Sequence, residues 1–470
     1  MKKSDKYILI EGGIINKLFL VALPLIGTQI IQMAYNLTDM FWLGRLSSDS
    51  VASSGTVGLF LWLSMSFMMF GRMGAEIGVS QNIGRGDEES ALAFAHNSLV
   101  IAVVLGVILT LIYRIGCKPL VGFFRILDAK VEKDAQDYLA IVSFGIPFTF
   151  ISAAVSGIFN GGGNTRISLL INGVGLVLNM TLDPILIFTA GLGIRGAAFA
   201  TIFAQMIAAC LSLFAVIKSK SRPFEKFKLF ITLKKHIIKQ IFRWVTPIAI
   251  ESFLFTFLTM LIAALVAGFG SKAMAASRVG SQIESLTWLI AGGYASALTS
   301  FTGQNFGAGK WTRIHRGFKI SSGLMLCWGI IVGLILFFIG HILYGVFIPN
   351  DPDVVSIGAQ YMRILAFAQI AGCLEGVAAG VFRGQGKTIQ PSIASGTSNA
   401  LRVVLAYILT RFTSLGLTGI WVAIAGGTCV RGFWMYIWYL FYSRAMPKVD
   451  SALPDILPQR DVSVDIAPFM

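Results

Sequence analysis

Twelve long apolar runs dominate this sequence and restrict its fold more than any other feature. A helix crosses the hydrocarbon core of a bilayer with about 20 mostly apolar residues, and it satisfies its own backbone hydrogen bonds there. We therefore predict an all-α polytopic membrane protein with twelve transmembrane helices. The runs lie near residues 14–41, 51–80, 91–113, 137–160, 167–190, 194–217, 241–268, 275–303, 317–345, 357–383, 390–413 and 416–442.

Composition agrees with this fold class and argues against a soluble protein and against a nucleic-acid-binding protein. Of the 470 residues, 55% are hydrophobic and only 13% are charged, which leaves too few polar side chains for the surface of a soluble protein. The net charge of +15 would suit nucleic acid if the basic residues were gathered on a soluble domain, but they lie in the loops. We expect no nucleic-acid partner.

The distribution of lysine and arginine predicts the orientation. An even number of spans places both termini on one side, and the loops of that side carry more than twice as many Lys and Arg residues as the opposite loops. By the positive-inside rule both termini are cytoplasmic. We expect a multi-pass membrane protein whose basic cluster from Lys218 to Arg243 contacts anionic lipid.

The two halves of the chain repeat one another. Pro24 matches Pro247, and three longer segments match at the same offset of 223 residues. These segments are 81–86 with 304–309, 159–165 with 382–388, and 192–196 with 415–419. Six spans per half preserve orientation, so the halves are parallel repeats, as in transporters whose substrate cavity lies between the repeats.

This repeat divides the chain into two six-helix lobes. The predicted organisation is an N-terminal cytoplasmic tail (1–13), an N-terminal lobe (14–217), a basic cytoplasmic linker (218–240), a C-terminal lobe (241–442) and a C-terminal cytoplasmic tail (443–470).

The first apolar run carries a carboxylate into the membrane. Gln29, Gln32, Asn36 and Asp39 are spaced by three, four and three residues, which places them on one face of a helix. A charged side chain within a span is costly and marks a functional candidate. Pro24 lies on the same helix, and because proline removes a backbone hydrogen bond, we predict that the helix bends there.

The N-terminal half alone carries two buried carboxylates. Asp39 corresponds to Ile262 in the repeat, Asp183 to Ala406 and Asn179 to Arg402, so the shared fold does not require these polar residues. Asn179 and Asp183 lie one turn apart on the fifth span, and Thr201 on the sixth span supplies a hydroxyl. The four side chains suit a hard cation, or a proton shared by two carboxylates. The alternative is a satisfied polar network that only packs helices.

The remaining charges within spans give weaker signals. Arg72 and Glu76 are four residues apart and are expected to neutralise each other. Glu251 and Glu375 have no carboxylate counterpart in the repeat, which suggests that they bind cationic substrate. We interpret the other charges as pairing, or as snorkelling near helix ends. They are Arg278 with Glu284, and Arg363, Arg402 and Arg431.

No enzyme signature is present in the sequence. The five cysteines form no C-x-x-C pair, the four histidines are scattered, and a glycine-rich turn at residues 384–388 lacks the first glycine of a phosphate-binding loop. We expect neither catalysis nor a cofactor, and no metal other than a possible Na+ at Asp39, Asn179, Asp183 and Thr201.

Four segments resemble the multidrug and toxic compound extrusion (MATE) transporters, most closely the DinF-like branch. They are Asn36 to Arg45, Gly74 to Asn82 with Gly84 and Gly86, Leu178 to Pro184, and Pro247 to Ser252. The resemblance covers roughly residues 14–442. It departs from the NorM-like pattern in the C-terminal lobe, where Glu251 lies about a turn before the expected glutamate and Gly372 stands at the position of an aspartate.

The resemblance implies a V-shaped pair of lobes that exports amphipathic, often cationic compounds in exchange for H+ or Na+. It implies an ion site at the positions of Asp39, Asn179, Asp183 and Thr201, a bend at Pro24, and a cavity lined by Gln32 and Asn36. We favour protons, because the C-terminal half shows no complete sodium site.

We expect a monomer whose partners are small amphipathic substrates and membrane lipid. A lipid-linked oligosaccharide flippase is the alternative, and it would require a strongly cationic cavity. A membrane-embedded enzyme is the less favoured alternative.

Overall fold

The computed structural model confirms the all-α fold class. It describes residues 8–124, 126, 128–219, 222–225, 227, 233–348, 351–447 and 449–450. These residues form fourteen α-helices and no strand. The helices are α1 (Ile14–Leu46), α2 (Ser48–Arg85), α3 (Glu88–Gly122), α4 (Ala129–Val142), α5 (Ile146–Gly161), α6 (Thr165–Pro184), α7 (Gly193–Lys218), α8 (Lys235–Ala267), α9 (Ser271–Gly307), α10 (Trp311–Phe347), α11 (Pro352–Ala366), α12 (Ala368–Gly384), α13 (Ile389–Phe412) and α14 (Leu417–Arg444). The tail residues 1–7 and 451–470 and much of the basic linker lie outside the described residues.

The helices supply twelve segments of membrane-spanning length. Among the described residues, nine helical segments are long and apolar enough to cross a bilayer, with α4 and α5 forming one of them. The pair α11 and α12, bent by 47°, makes a tenth. The other two expected spans form α9 and α13, of 37 and 24 residues. These two helices are more polar because they bury hydroxyl and amide side chains in the protein interior, among them Ser300 and Asn399.

Helix ends in the two halves use the same turn chemistry. Gly86, which ends α2, and its repeat counterpart Gly309 have φ of 80° and 66°. Only glycine adopts this left-handed conformation without a steric cost. Asp87 then caps α3, because its side chain accepts a hydrogen bond from Ser90 N at 2.9 Å. The recurring glycine motifs of the sequence are therefore turns between spans.

The two lobes exchange the first halves of their first helices. Leu18, Val21 and Leu25 of α1 are buried in an apolar cluster with Tyr294 and Phe301 of α9, which belongs to the opposite lobe. Farther along, α1 returns to its own lobe and packs on α6. Pro24 lies at this change of partner, within a helix that continues through it.

The C-terminal lobe mirrors this exchange. Ile241, Trp244 and Ile248 of α8 pack with Phe70 and Ile77 of α2 in the N-terminal lobe. The first helix of each lobe thus packs on the opposite lobe. A movement of α1 or α8 therefore changes the contacts at the lobe junction.

Glycines bring α2 and α9 into backbone contact at this junction. A Cβ on Gly84 would lie 1.9 Å from the Gln304 carbonyl oxygen, and a Cβ on its counterpart Gly307 would lie 1.8 Å from the Gln81 carbonyl oxygen. No larger residue fits at either position without separating the lobes.

Candidate functional site

Helices from different parts of the N-terminal lobe bring the predicted acidic residues together. Asp39 comes from α1, Asn179 and Asp183 from α6, and Thr201 from α7. The Asp39 carboxylate lies against all three other side chains. The sequence-based prediction that these four residues meet therefore agrees with the structure.

The cluster leaves an excess of unsatisfied oxygen atoms. Asn179 and Asp183 are fully buried, and Asn179 Nδ2 donates a hydrogen bond to Asp183 Oδ1 at 3.2 Å. Asp39 Oδ1, Asn179 Oδ1, Asp183 Oδ2 and Thr201 Oγ1 are buried and have no hydrogen-bond partner within the described part of the chain. Buried acceptors without a donor are costly. A proton or cation shared by these oxygens would offset that cost.

Two tyrosines that the sequence analysis did not identify complete the cluster. Tyr35 lies one turn before Asp39 on α1, and Tyr138 lies on α4. Both phenol groups interact with the Asp39 and Asp183 carboxylates and with Thr201. The four-residue spacing from Asp39 was a usable signal for Tyr35. Tyr138 offered no such signal, because only the packing of α4 in the lobe brings it to the site.

The backbone after Asp183 is irregular. Pro184 ends α6, and residues 185–189 form one turn of π-helix. In the repeat, Tyr407 takes the place of Pro184 and α13 continues to Phe412 as a regular α-helix. A π turn inserted in a helix is frequent at functional sites. This irregularity accompanies the carboxylate in the N-terminal lobe and is missing from the lobe without it.

The chemistry of this oxygen cluster suits a proton or a small hard cation. Two carboxylates at close range in a low-dielectric interior cannot both stay ionised without a compensating positive charge. Carboxylate, amide and hydroxyl oxygens are also the ligands of hard cations. Within the described residues, no group of three or more His, Cys, Asp or Glu residues has the geometry of a metal site.

A partly open cavity lies beside the cluster-bearing helix. Its volume is about 80 Å³, and it is bounded by α1, α2, α5, α6 and, from the opposite lobe, α9. Gln32 lines it, as expected, together with Gln29. Asn36 is exposed on the same helix but is not part of the cavity lining.

The two glutamates expected to face substrate are paired with arginines. The Glu375 carboxylate accepts a hydrogen bond from Arg431 Nε at 2.7 Å. Glu251 lies 3.8 Å from Arg383 and accepts a hydrogen bond from Ser392 Oγ at 3.0 Å. Their role in substrate binding stays a prediction, but neither offers an uncompensated negative charge.

Two other expectations about charged residues are wrong, and a third holds in part. Arg72 stabilises the Glu76 carboxylate electrostatically, but the two form no direct ion pair among the described residues, and Glu76 accepts hydrogen bonds from two serines of α9. Glu284 is bonded to Trp288 and Tyr361 rather than to Arg278. Arg402 and Arg431 lie in the middle of α13 and α14, not near helix ends. Tyr361 and the two serines come from distant parts of the chain, which local spacing does not reveal, whereas Trp288 lies one turn after Glu284.

The C-terminal lobe carries a positive charge at the position that corresponds to the acidic oxygen cluster. Arg402 stands at the position of Asn179, is 8% exposed and donates a hydrogen bond to Thr259 Oγ1 at 3.3 Å. Ile262 and Ala406 replace the two aspartates. A guanidinium at this position repels a cation, so this lobe has no equivalent cation site there.

Comparison with known proteins gives consistent results. Residues 24–185 and 247–408 each match the model of the MatE family. A probable multidrug resistance protein NorM of Thermotoga maritima is 28% identical over 429 residues, which cover 90% of this chain and 92% of that protein. An FAD transporter of Shewanella oneidensis is 27% identical over 375 residues, which cover 78% of this chain and 81% of that protein.

Solved structures share the fold. A crystal structure described as MATE in the bent conformation superimposes with a TM-score of 0.88 at 21% identity, covering 94% of this chain and 98% of that one. The two family matches are offset by the 223 residues of the internal repeat.

Proposed function

Because this chain belongs to the MatE family of multidrug efflux transporters, we propose that it is a secondary antiporter that exports amphipathic molecules in exchange for protons. The observation that carries the proposal is the group of buried, unpartnered oxygens on Asp39, Asn179, Asp183 and Thr201. A proton bound between the two aspartates supplies a donor to Asp39 Oδ1 and Asp183 Oδ2, which have no hydrogen-bond partner among the described residues.

The path of α1 suggests how proton binding is coupled to export. One end of this helix packs on the opposite lobe and the other carries Asp39, with Pro24 between them. Protonation of Asp39 removes a charge and changes how α1 packs against α6. A bend at Pro24 then alters the lobe junction and the cavity lined by Gln29 and Gln32.

Coupling further requires that proton and cargo oppose each other. Proton entry from outside weakens cargo binding, and by linkage the cargo weakens proton binding by the same factor. A proton therefore moves inward as a cargo molecule moves outward, and the protein does not bind both tightly at the same time. Sodium would compete for the same oxygens rather than add to the proton.

Protons are favoured over sodium by the charge of the second lobe. Arg402 occupies the counterpart of the Asn179 position, so the described residues offer one oxygen cluster of this kind rather than two. One site with two carboxylates suits the exchange of a proton.

Flux through the purified protein in liposomes tests the proposal. We expect export of a fluorescent substrate under an inward proton gradient in sodium-free buffer, and none under a sodium gradient alone. Transport that needs sodium and ignores the proton gradient would overturn the choice of ion. Equal transport with no gradient of either ion would overturn antiport itself.

We propose in addition that the protein is a monomer of the cytoplasmic membrane with both termini in the cytoplasm. The excess of basic residues on the side of the termini supports this orientation. A reporter that is active only in the cytoplasm, fused to the C-terminus, tests the orientation. The mass of the detergent-solubilised protein tests whether it is a monomer.

A further inference from the structure

The cavity between α1, α2, α5, α6 and α9 has an unexpected charge. Most of its lining side chains are amides and hydroxyls, including Gln29, Gln32, Ser152 and Asn172. Arg72 is the single charged residue of the lining, and no carboxylate of the described chain belongs to it. Asp39 and Asp183 lie in the separate oxygen cluster. A cavity with this lining does not attract a cation.

Close helix packing positions Arg72, but the fold does not require an arginine there. A Cβ on Gly157 of α5 would lie 2.2 Å from the Arg72 carbonyl oxygen, so the two helices touch at this point. The second lobe repeats the contact, with a Cβ on Gly380 placed 2.6 Å from the Ala295 carbonyl oxygen. Ala295 is the repeat counterpart of Arg72. The same packing is thus built once with alanine, which leaves the guanidinium available for another task.

The Arg72 guanidinium has unused hydrogen-bonding capacity. Its Nε is buried and has no partner among the described residues, as is also true of Ser152 Oγ in the same lining. The nearest carboxylate along α2 is Glu76, whose Oε1 accepts hydrogen bonds from Ser296 Oγ at 2.9 Å and from Ser300 Oγ at 3.2 Å. Glu76 reduces the local positive potential but does not bond to the guanidinium.

No other carboxylate offers a cationic cargo a free partner near this cavity. Glu251 and Glu375, the glutamates suggested for cation binding, are neutralised by Arg383 and Arg431. The charge available to a molecule that enters the cavity is therefore the positive charge of Arg72.

We propose that this cavity binds an amphipathic molecule through an oxyanion, a phosphate or carboxylate, held by Arg72 with hydrogen bonds from Gln29, Gln32 and Ser152. Guanidinium groups match oxyanions in planar, charge-assisted pairs. The inference rests on the proposed export function, because it assigns a substrate class to the cavity that export would use.

Binding of two molecules that differ by one phosphate tests the substrate class. Riboflavin and riboflavin 5′-phosphate share a fluorescent ring, so binding of both to the full-length protein in detergent is measured by fluorescence quenching. We expect the phosphate ester to bind about tenfold more tightly than riboflavin, the contribution of one charge-assisted contact. Arg72→Gln should remove this difference and leave riboflavin binding unchanged, whereas Arg72→Lys should keep part of it.

Arg166→Gln is the matched control, because Arg166 is exposed on α6 of the same lobe and lies outside the cavity lining. It should retain the full preference for the phosphate. Equal binding of the two flavins by the wild type, tighter binding of the cation ethidium, or no saturable binding of the phosphate ester would overturn the proposal. If Arg72→Gln weakened the binding of both flavins equally, that result would also overturn the proposal.

The binding assay separates this inference from the antiport proposal. Binding is measured without any gradient, so a phosphate preference that depends on Arg72 stands even where liposomes show no proton-driven export. Conversely, proton-driven export in liposomes together with equal binding of the two flavins would leave antiport intact and overturn the oxyanion site.

Discussion

Gln81 and Gln304, which are repeat counterparts, make the same hydrogen bond in opposite directions across the lobe junction. Gln81 Nε2 donates to the Gly384 carbonyl at 2.9 Å, and Gln304 Nε2 donates to the Gly161 carbonyl at 2.9 Å. The symmetry is broken at Gln304 Oε1, which also accepts a hydrogen bond from Leu9 N at 2.8 Å. The segment before α1 is therefore fastened to the opposite lobe.

The first prediction follows from this difference. Gln304→Ala should lower the melting temperature of the purified protein about twice as much as Gln81→Ala, because it removes two buried hydrogen bonds, each worth about 1 kcal/mol, rather than one. Gln136→Ala is the control, since that side chain bonds to a neighbour on its own helix, Glu132 of α4. Equal shifts for Gln81→Ala and Gln304→Ala would show that the contact with Leu9 contributes nothing.

The second prediction concerns the oxygen cluster. Asp39→Asn should abolish proton-driven export while leaving membrane insertion intact, because it removes a titratable charge with little change in volume. Substrate accumulation is compared in cells that express equal amounts of protein. Asp137→Asn is the control, since it breaks only an exposed pair with Arg195, and such pairs contribute about 0–1 kcal/mol. Near-normal export by Asp39→Asn would refute the coupling role.

The third prediction uses the two repeated prolines as a matched pair. Pro24→Ala should reduce the transport rate more than substrate affinity, because it restores the backbone hydrogen bond that is missing where α1 changes lobes. Pro247→Ala makes the same change in α8, which carries no coupling carboxylate, and it should reduce the rate less. Equal effects of the two substitutions on the rate would argue against a special role for α1.

The fourth prediction tests the tyrosines found only in the structure. Tyr138→Phe should slow proton-driven export, since it removes a buried hydroxyl that interacts with Asp39 and Asp183. Tyr113→Phe removes a buried hydroxyl of the same lobe that bonds to Ser64 and to the Phe60 carbonyl, and it should leave the rate unchanged. If both variants transport at the wild-type rate, Tyr138 only packs the lobe.

The fifth prediction addresses the buried pair of Glu375 and Arg431, whose side chains are 14% and 11% exposed. Glu375→Gln alone should cost roughly 3–5 kcal/mol of stability, because it leaves an uncompensated guanidinium in the lobe. The double variant with Arg431→Gln should recover part of that loss. Unfolding in detergent is followed for the wild type, both single variants and the double variant. Additive losses would show that the two groups do not depend on each other.

The sequence by itself determined the spans, the repeat and the acidic pair. Hydropathy along the chain marks segments that must enter lipid, and a constant offset identifies corresponding positions without any knowledge of packing. Comparing Asp39 with Ile262 and Asp183 with Ala406 then singled out residues that the common fold does not need. All of these signals depend on residue type and position along the chain, and none requires knowledge of which residues are close in space.

Only the tertiary structure decided which charges meet. Glu375 is neutralised by Arg431 of α14, Glu76 is bonded to serines of the opposite lobe, and Tyr138 of α4 reaches carboxylates on α1 and α6. It also decided that Arg72 faces a cavity without a carboxylate. The physical reason is that electrostatic and hydrogen-bonding partners are chosen by distance in space, and the packing of helices that are far apart in the chain sets that distance.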